Sequence, residues 1–349
     1  MSLHEQRAID VAVIIVNYRS ADMTVQSLSS LYNERDIGCA AGALSIRAIV
    51  VDNASGDGPA LERAIGERGW GGWVELLVAP RNGGFAYGNN RGIERAYERG
   101  APEFIYLLNP DAQVRRGAIG ILVDFLAEHP CASIVGGSFE NADGSDWPFA
   151  FRFPTLQSEL LQGLQLRLLT RLLQRWEVPR QMDRARAQPV DWISGASMML
   201  RPAVLEAIGG LDENYFLYFE ETDFCRRARQ AGFETWYVPA SRVMHIGSGV
   251  TKVNEHTNVL KRKPDYWFDS RRRYFARSFG PARAMLIDAV AVAASGLGVL
   301  QRALRRRSYR NIPHFTRDLA RSSILWRRNR RLPPPQGFVP RLPARAPSA

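Results

Sequence analysis

Residues 11–16 (Val-Ala-Val-Ile-Ile-Val) form an unbroken, mostly β-branched apolar run, the pattern of a strand buried on both faces of a parallel sheet. Residues 46–51, 74–78 and 104–108 repeat it. Between the first two, residues 21–32 place Met23, Val25, Leu28 and Leu31 at roughly helical spacing, and 59–69 and 88–100 read as helices in the next two gaps. This alternation predicts an α/β fold of βαβ units, with a mostly parallel, Rossmann-like sheet and helices on both faces. Farther on, 118–128 predicts a helix and 133–136 a short buried strand. Residues 156–176 form a Leu-rich amphipathic stretch with Arg167, Arg171 and Arg175 interleaved, either a helical insertion packed on the core or an acceptor- or membrane-facing flap. Residues 190–200, 203–208, 221–231 and 235–238 read as strand, helix, helix and strand. An apolar run over 284–300 precedes an Arg-rich segment, and the chain from Leu332 is Pro-rich and without periodicity, which predicts disorder.

Ligands of open α/β sheets bind outside the carboxyl ends of the strands, so the residues just after each strand carry the chemistry. Here they are polar four times over: Asn17-Tyr18-Arg19-Ser20, then Asp52-Asn53-Ala54-Ser55-Gly56-Asp57, then the stretch from Arg81 through Asn82, Gly83, Gly84 and Gly88 to Asn89-Asn90, then Asn109-Pro110-Asp111. Any one of these is accounted for by helix capping or turns. Four on one sheet edge point to a ligand crevice. The first turn lacks a GxGxxG sequence, which argues against a dinucleotide-binding dehydrogenase, and no GxxxxGK[ST] loop is present. Gly83, Gly84 and Gly88 are expected to let the backbone approach a diphosphate. Asp111 is placed to hold a hard divalent cation bridging that diphosphate.

The second half supplies a proton acceptor. Glu220, Glu221 and Asp223 fall within four residues, preceded by Tyr218 and Phe219. Carboxylates this close beside an apolar wall raise one another's pKa and suit a general base, although acids in a first helical turn are also favoured by the macrodipole. Asp223 is equally placed to cap the helix or pair with Arg226 or Arg227. His245, one of five histidines, follows a strand-like segment and is a metal or phosphate ligand or an ordinary core histidine.

Composition adds limits. Hydrophobic residues are 46% and charged residues 23% of the chain, ordinary globular values. The cysteines, Cys39, Cys131 and Cys225, form no CxxC pair, and residues 1–10 show no signal-peptide pattern, so a cytoplasmic protein is expected. The net charge of +11 is uneven: residues 301–349 hold thirteen arginines and one acid, Asp318, leaving the first 300 residues slightly negative. A nucleic-acid-binding domain would spread its charge over the folded face, so no nucleic-acid partner is expected.

Taken in order, the motifs resemble glycosyltransferase family 2, in particular its bacterial rhamnosyltransferase-like branch. The matching pieces are Val-Ile-Ile-Val-Asn-Tyr, Val-Asp-Asn-Ala-Ser, Asn82-Gly83-Gly84-Phe85 with Asn89-Asn90, Asn109-Pro110-Asp111, Ser194-Gly195-Ala196, Gly210-Leu211-Asp212-Glu213, Tyr218-Phe219-Glu220-Glu221-Thr222-Asp223 and His245. The resemblance implies a GT-A fold with a C-terminal helical extension, a nucleoside-diphosphate sugar donor, Mg2+ or Mn2+, and inversion at the sugar's anomeric carbon. It implies Asp52 at the base or ribose, with Asn17, Tyr18, Asn53, Asn82, Gly83, Gly84, Asn89 and Asn109 around the donor. Asp111 and His245 would take the metal, Glu221 or Glu220 would be the base, and Ser194, Gly195 and Ala196 would face the acceptor. Two positions depart from the family pattern: the metal motif reads Asn-Pro-Asp, one carboxylate fewer, and the usual Glu-Asp pair is Glu220-Glu221.

The expected organisation is a catalytic domain over 1–280, with a donor half at about 11–136 and an acceptor half at about 190–250. A membrane-associating extension follows over 281–331 and a disordered tail over 332–349. The run 284–300 contains Asp288 and falls short of the roughly 20 apolar residues a spanning helix needs. With Arg302, Arg305, Arg306, Arg307 and Arg310 next to it, it is expected to hold the protein peripherally on an anionic inner membrane face, where a glycan or lipid-linked saccharide would be the acceptor. A nucleotidyltransferase and a non-catalytic sugar-nucleotide-binding protein are the alternatives.

Overall fold

The computed structural model describes residues 8–35, 37–40, 42–141, 146–147, 149–166, 171–179, 182–245, 261–304, 312–325 and 332–340. Four strands, β1 (Ile9–Asn17), β2 (Leu44–Asp52), β3 (Val74–Val78) and β4 (Phe104–Leu108), pair in parallel in the order β3-β2-β1-β4. Every residue of β4, and Val11 to Ile15 of β1, is buried, which explains their unbroken apolar sequence. Helices α1 (Ala21–Glu34), α2 (Gly58–Glu67) and α3 (Gly84–Glu98) connect them. Because β2 and β4 flank β1 on opposite sides, the chain reverses its winding direction there and opens a crevice at the carboxyl ends.

The sheet then turns mixed. After the short β5 (Ala112–Val114) and α4 (Ala118–Glu128) comes β6 (Ala132–Glu140), longer than the sequence pattern suggests. The apolar stretch 190–200, expected as one strand, divides into β9 (Gln188–Val190), β10 (Trp192–Ile193) and β11 (Ser197–Leu200). β11 lies antiparallel between β4 and β6. β10 leaves the sheet to pair with β8 (Ala150–Phe151), while β7 (Asp146–Trp147) edges β6. The last strand, β12 (Glu234–His245), runs parallel to β6 with register shifts, then antiparallel to β5, placing His245 opposite Ala112. Sequence pattern shows only the start of β12, since Pro239 and the charged Arg242 interrupt its apolar run.

The stretch 156–176 is not one helix. α5 (Leu156–Leu164) starts at a Thr155–Ser158 capping box and stops at Gln165, whose backbone is left-handed. Of its arginines, Arg167 lies outside the described residues. Beyond α6 (Pro202–Ile208) and α7 (Glu220–Gln230) come α8 (Asp265–Phe279), α9 (Pro281–Leu304) and α10 (Phe315–Ser322), which pack on one another while α9 also packs on α5, making ten helices among the described residues. Ala284 and Ile287 of α9 share a small core with Tyr215, Tyr274 and Phe275. Gly163 and Gly298 let α5 and α9 cross closely, since a Cβ at Gly298 would strike the Gly163 carbonyl.

α9 is thus longer than its apolar run and, at 24 residues, long and apolar enough to cross a membrane by length and composition. Its length therefore does not exclude a span, contrary to the expectation from the 284–300 run. A different fact distinguishes its two sides: buried Asp288 accepts hydrogen bonds from Arg271 of α8 at 2.5 Å, from the Ser323 hydroxyl and from the Ile324 amide. Arg271, 2% exposed, also bonds Glu159 of α5 at 2.6 Å. Removing one partner of such a buried network leaves uncompensated charge. Arg271→Met is therefore expected to lower stability by about 3–5 kcal/mol, read as a drop in the urea midpoint with the slope unchanged.

The Pro-rich segment from Leu332, expected to be disordered, is held over residues 332–340. The Gln336 carbonyl accepts from the Glu213 amide and the Phe338 carbonyl from the Gly210 amide, both at 2.6 Å. Its prolines lack amide hydrogens but keep carbonyls, and Arg273 and Asn214 donate to those of Pro333 and Pro334. Residues 341–349 lie outside the described residues.

Candidate active site

The polar residues after β1 and β2 bind one another first. Asn17 is fully buried and donates to Asp52 Oδ1 at 3.1 Å and to Asp57 Oδ2 at 3.0 Å, while its own Oδ1 accepts from Ser20 and Thr24. Asp52, 1% exposed, also accepts from the Ser55 hydroxyl. Asp57 Oδ2 takes the amides of Ser20 and Ala21 and so caps α1, a task the sequence reading left unassigned. Tyr18 stands beside this knot, half-buried, with the Arg19 guanidinium over its ring at 5.3 Å.

In the glycine-rich stretch the residues fasten loops. Asn53 donates to Asn82 Oδ1 and to the Gly84 carbonyl, and Asn82 Oδ1 also accepts the Gly84 amide. Asn89 bonds back to the Phe85 carbonyl, and Asn90 bonds the Leu211 backbone and Glu213. The space at the glycines is taken by protein. A Cβ on Gly84, whose φ is +86°, would strike the Phe216 carbonyl; one on Gly88 would sit 2.6 Å from Val16; one on Gly83 would strike Tyr87. The missing side chains let α3 lie on β1 and let the 210–219 loop dock on α3, a packing role beside the diphosphate approach expected from the sequence.

Asp111 and His245 meet. The turn Asn109-Pro110-Asp111 joins β4 to β5, and β12 brings His245 Nε2 to 3.3 Å from Asp111 Oδ1. Asp111 is 5% exposed and its Oδ1 has no hydrogen-bond partner. The His245 ring stacks on Phe139 at 5.2 Å. A buried carboxylate oxygen left unbonded beside an imidazole fits a cation-binding position. The described residues hold no group of three or more His, Cys, Asp or Glu side chains, so these two would supply the protein's share and a diphosphate and waters the remainder.

Ser194, Gly195 and Ala196 form the turn between β10 and β11, tied to the metal-side turn where Asn109 donates its amide to the Ala196 carbonyl at 2.9 Å. A Cβ on Gly195 would meet the Phe85 ring at 3.0 Å and the Glu221 Cβ at 3.6 Å. That one turn therefore touches the segments bearing Asn109, Phe85 and Glu221.

Glu220 and Glu221 open α7 after two successive non-glycine residues with left-handed backbone, Tyr218 (φ +72°) and Phe219 (φ +70°). Such strain persists only where packing enforces it; here Phe219 packs on Trp267 and Tyr274. Oε2 of each glutamate is buried without a hydrogen bond. Burial, then the charge of Glu221, pushes Glu220 well above the usual carboxylate range, and burial pushes Glu221 up to about 7. Glu220 is 2% exposed whereas Glu221 is half-buried. Asp223 does not join them. It accepts from Arg227 at 2.7 Å and from the Tyr215 hydroxyl at 3.3 Å, and Arg227 goes on to the carbonyls of Ile208 and Gly210. Asp223 thus takes the Arg227 pairing that its sequence position allowed, and the pair clamps the loop before α7.

A second clamp was not visible in the sequence. Arg273 of α8 grips Asp212 through two nitrogens at 2.8 and 2.5 Å, both side chains almost wholly buried. Asp212 also accepts from the amides of Asn214 and Gln336, tying the 332–340 segment to the loop that leads to Glu220.

The fold is of the GT-A class, mixed α/β with a curled, mostly parallel sheet. The chain belongs to the family Glycosyltransferase like family 2, whose match runs over residues 9–280. It is similar to the N-acetylglucosaminyl-diphospho-decaprenol L-rhamnosyltransferase of Mycobacterium tuberculosis, 32% identical over 183 residues that cover 49% of this chain and 58% of that protein. The match thus spans little more than half of that relative. It is similar to the low-salt glycan biosynthesis hexosyltransferase Agl10 of Haloferax volcanii, 29% identical over 76% of this chain and 75% of that one. Among solved structures, the mannosyltransferase PcManGT of Pyrobaculum calidifontis in complex with GDP-Man and Mn2+ shares the fold, with a TM-score of 0.52, 16% identity, and coverage of 87% of this chain and 77% of that one.

Proposed function

We propose that this protein is a metal-dependent inverting glycosyltransferase. It would move a sugar, rhamnose by its relatives, from a nucleoside diphosphate to a hydroxyl of a lipid-linked saccharide in cell-surface polysaccharide synthesis. The carrying observation is the Glu220–Glu221 pair at the start of α7, whose Glu221 lies against the same 194–196 turn that is bonded to the Asn109–Asp111 turn. In this reading Glu220, deeper and higher in pKa, stays protonated, and Glu221 alternates between acid and carboxylate near neutrality. Glu221 Oε2 takes the proton of the acceptor hydroxyl as that oxygen attacks the anomeric carbon from the side opposite the leaving diphosphate. One displacement inverts the configuration, and no residue forms a bond to the sugar. Asp111 and His245 would hold Mg2+ or Mn2+, which when bound offsets the charge of the departing diphosphate. Asp52 would face the nucleoside, its carboxylate fixed by Asn17 and Ser55.

The test is to incubate the protein with nucleotide sugars, Mg2+ or Mn2+ and a prenyl-diphosphate-linked N-acetylglucosamine. Release of nucleoside diphosphate with a disaccharide of inverted anomeric configuration is the expected result. No transfer from the nucleotide sugars, together with release of pyrophosphate from a nucleoside triphosphate and a sugar 1-phosphate in a parallel assay, would make it a nucleotidyltransferase.

We further propose that α9 lies on an anionic membrane face without crossing it. Its outer side exposes Leu286, Leu297, Leu300 and Leu304, each at least 53% accessible, while its inner side is tied to the domain through Asp288. Replacing Leu286, Leu297 and Leu300 by Glu is expected to abolish flotation with phosphatidylglycerol vesicles and leave the thermal midpoint unchanged. Undiminished flotation would move the anchor elsewhere.

A further inference from the structure

α5, α8, α9 and α10 surround a cavity of about 740 Å³ that the transfer chemistry leaves unused. Lys263, Arg302, His314 and Arg317 line it, and none of its lining residues is acidic. Asp318, the acid next to it in the chain, is engaged by Arg262 at 2.6 and 3.0 Å and by Arg317 at 3.3 Å. Lys263 is enclosed by aromatic rings, its ammonium 5.6 Å from the centroids of both Tyr218 and Trp267. No carboxylate among the described residues pairs with it, and burial draws its pKa below the ordinary lysine value. A sheltered cation without a counterion gains from an anionic ligand, and a roomy cavity gives that ligand a place.

Two further features say what the anion is attached to. The residues around Lys263 lead directly to the proton acceptor: Tyr218 and Phe219 precede Glu220, and Phe219 packs on Trp267 of the cavity wall at 5.9 Å. On its other side the cavity opens onto α9. Val299 both lines it and is 45% exposed, beside the outward leucines 297, 300 and 304. Cationic wall, neighbouring base and apolar exit follow the order of groups in a prenyl-linked sugar: phosphate in the middle, accepting ring on one side, hydrocarbon on the other.

We propose that this cavity binds the diphosphate of a prenyl-diphosphate-linked acceptor, with Lys263 as its principal cation and the hydrocarbon chain leaving along α9. The proposal rests on the reading of the acceptor as lipid-linked. It gives the 261–317 region a role in recognition, and it makes acceptor choice depend on a group remote from the sugar being modified.

The test is calorimetry on the full chain in chelator, so that no metal supports a diphosphate at Asp111. The probe is farnesyl diphosphate, with inorganic pyrophosphate, farnesol and phosphatidylglycerol vesicles as separate arms. Farnesyl diphosphate is expected to bind at least tenfold more tightly than pyrophosphate or farnesol. Lys263→Gln should weaken it tenfold or more, Lys263→Arg should restore it to within threefold, and Asp111→Ala should leave it unchanged. Equal affinity in wild type and Lys263→Gln would overturn the proposal, as would loss with Asp111→Ala, which would put the probe in the donor site. Farnesol binding as tightly as the diphosphate would reduce the cavity to an apolar slot. Lys263-dependent binding of the vesicles with no preference for farnesyl diphosphate would assign the site to membrane headgroups and overturn the acceptor assignment. The two readings fail separately: a protein that transfers no sugar but binds farnesyl diphosphate through Lys263 retains the phosphate site and loses the proposed function. Transfer with an acceptor KM unmoved by Lys263→Gln does the reverse.

Discussion

Glu221→Gln is expected to lower kcat by about 10²–10⁴-fold, the usual contribution of a general base, while donor affinity stays within twofold. The exchange keeps the size of the side chain and removes only its capacity to accept a proton. In the wild type, burial holds Glu221 near 7, so kcat/KM should rise with pH and level off above that value. The same burial gives a second readout with its own sign. A carboxyl whose pKa is raised on folding binds its proton more tightly in the native state. Its contribution to stability is therefore present below the ordinary value of 4.5 and is lost as pH climbs through about 7. Well above pH 7, Glu221→Gln should be more stable than wild type by on the order of 3 kcal/mol, and below 4.5 the two should be equal. Glu220→Gln should behave differently, keeping most turnover, because Glu220 is proposed to remain protonated throughout. If Glu220→Gln is the dead variant and Glu221→Gln is not, the base lies one residue earlier. A dead but stabilised Glu221→Gln is hard to explain by disturbed folding.

The parallel half of the fold was legible because its strands are buried on both faces, and such strands write themselves as unbroken β-branched runs such as Val11 to Val16. The glycine-rich segment shows what sequence leaves open. Glycine marks a close approach without saying of what, and at Gly84 and Gly88 the groups in contact are Phe216 and Val16. The second half was harder to read. β11 is antiparallel, β12 changes partners along its length, and α8 carries Arg271, Arg272 and Arg273 in succession, a sequence that looks solvated. Two of those arginines are buried because acids far along the chain, Asp288 and Asp212, meet them. Periodicity cannot register a pairing over 61 residues. The candidate site fared unevenly for the same reason. Position and charge single out Asp111, His245, Glu220 and Glu221, and the structure brings Asp111 to His245 and buries the two glutamates together. Asp223 was separated from them only by its bond to Arg227, and Lys263 acquires meaning only from the rings of Tyr218 and Trp267.

Asp111→Ala is expected to remove metal-supported donor binding. Loss of groups that merely orient metal ligands costs about 10–100-fold in affinity, and Asp111 places its carboxylate 3.3 Å from His245 Nε2. The loss in donor affinity with Mn2+ should therefore be about 100-fold or more. His245→Ala should cost less, because a diphosphate and water can fill a vacated nitrogen position more readily than they replace a negative charge. The structure supplies a control for misfolding. Asp111 Oδ1 is buried with no hydrogen bond, so the carboxylate does little for the metal-free fold. Without metal, Asp111→Ala should melt at or above the wild-type temperature. With saturating Mn2+ and nucleoside diphosphate, wild type should gain about 2.7 kcal/mol at a hundredfold excess over Kd, and the variant should gain almost nothing. Thermal melts of both proteins, in chelator and in Mn2+ with nucleoside diphosphate, decide the matter. An equal ligand-induced shift in the two proteins would remove Asp111 from the metal site. It would also leave the Asp111–His245 pair, 3.3 Å apart at the end of the sheet, without a function.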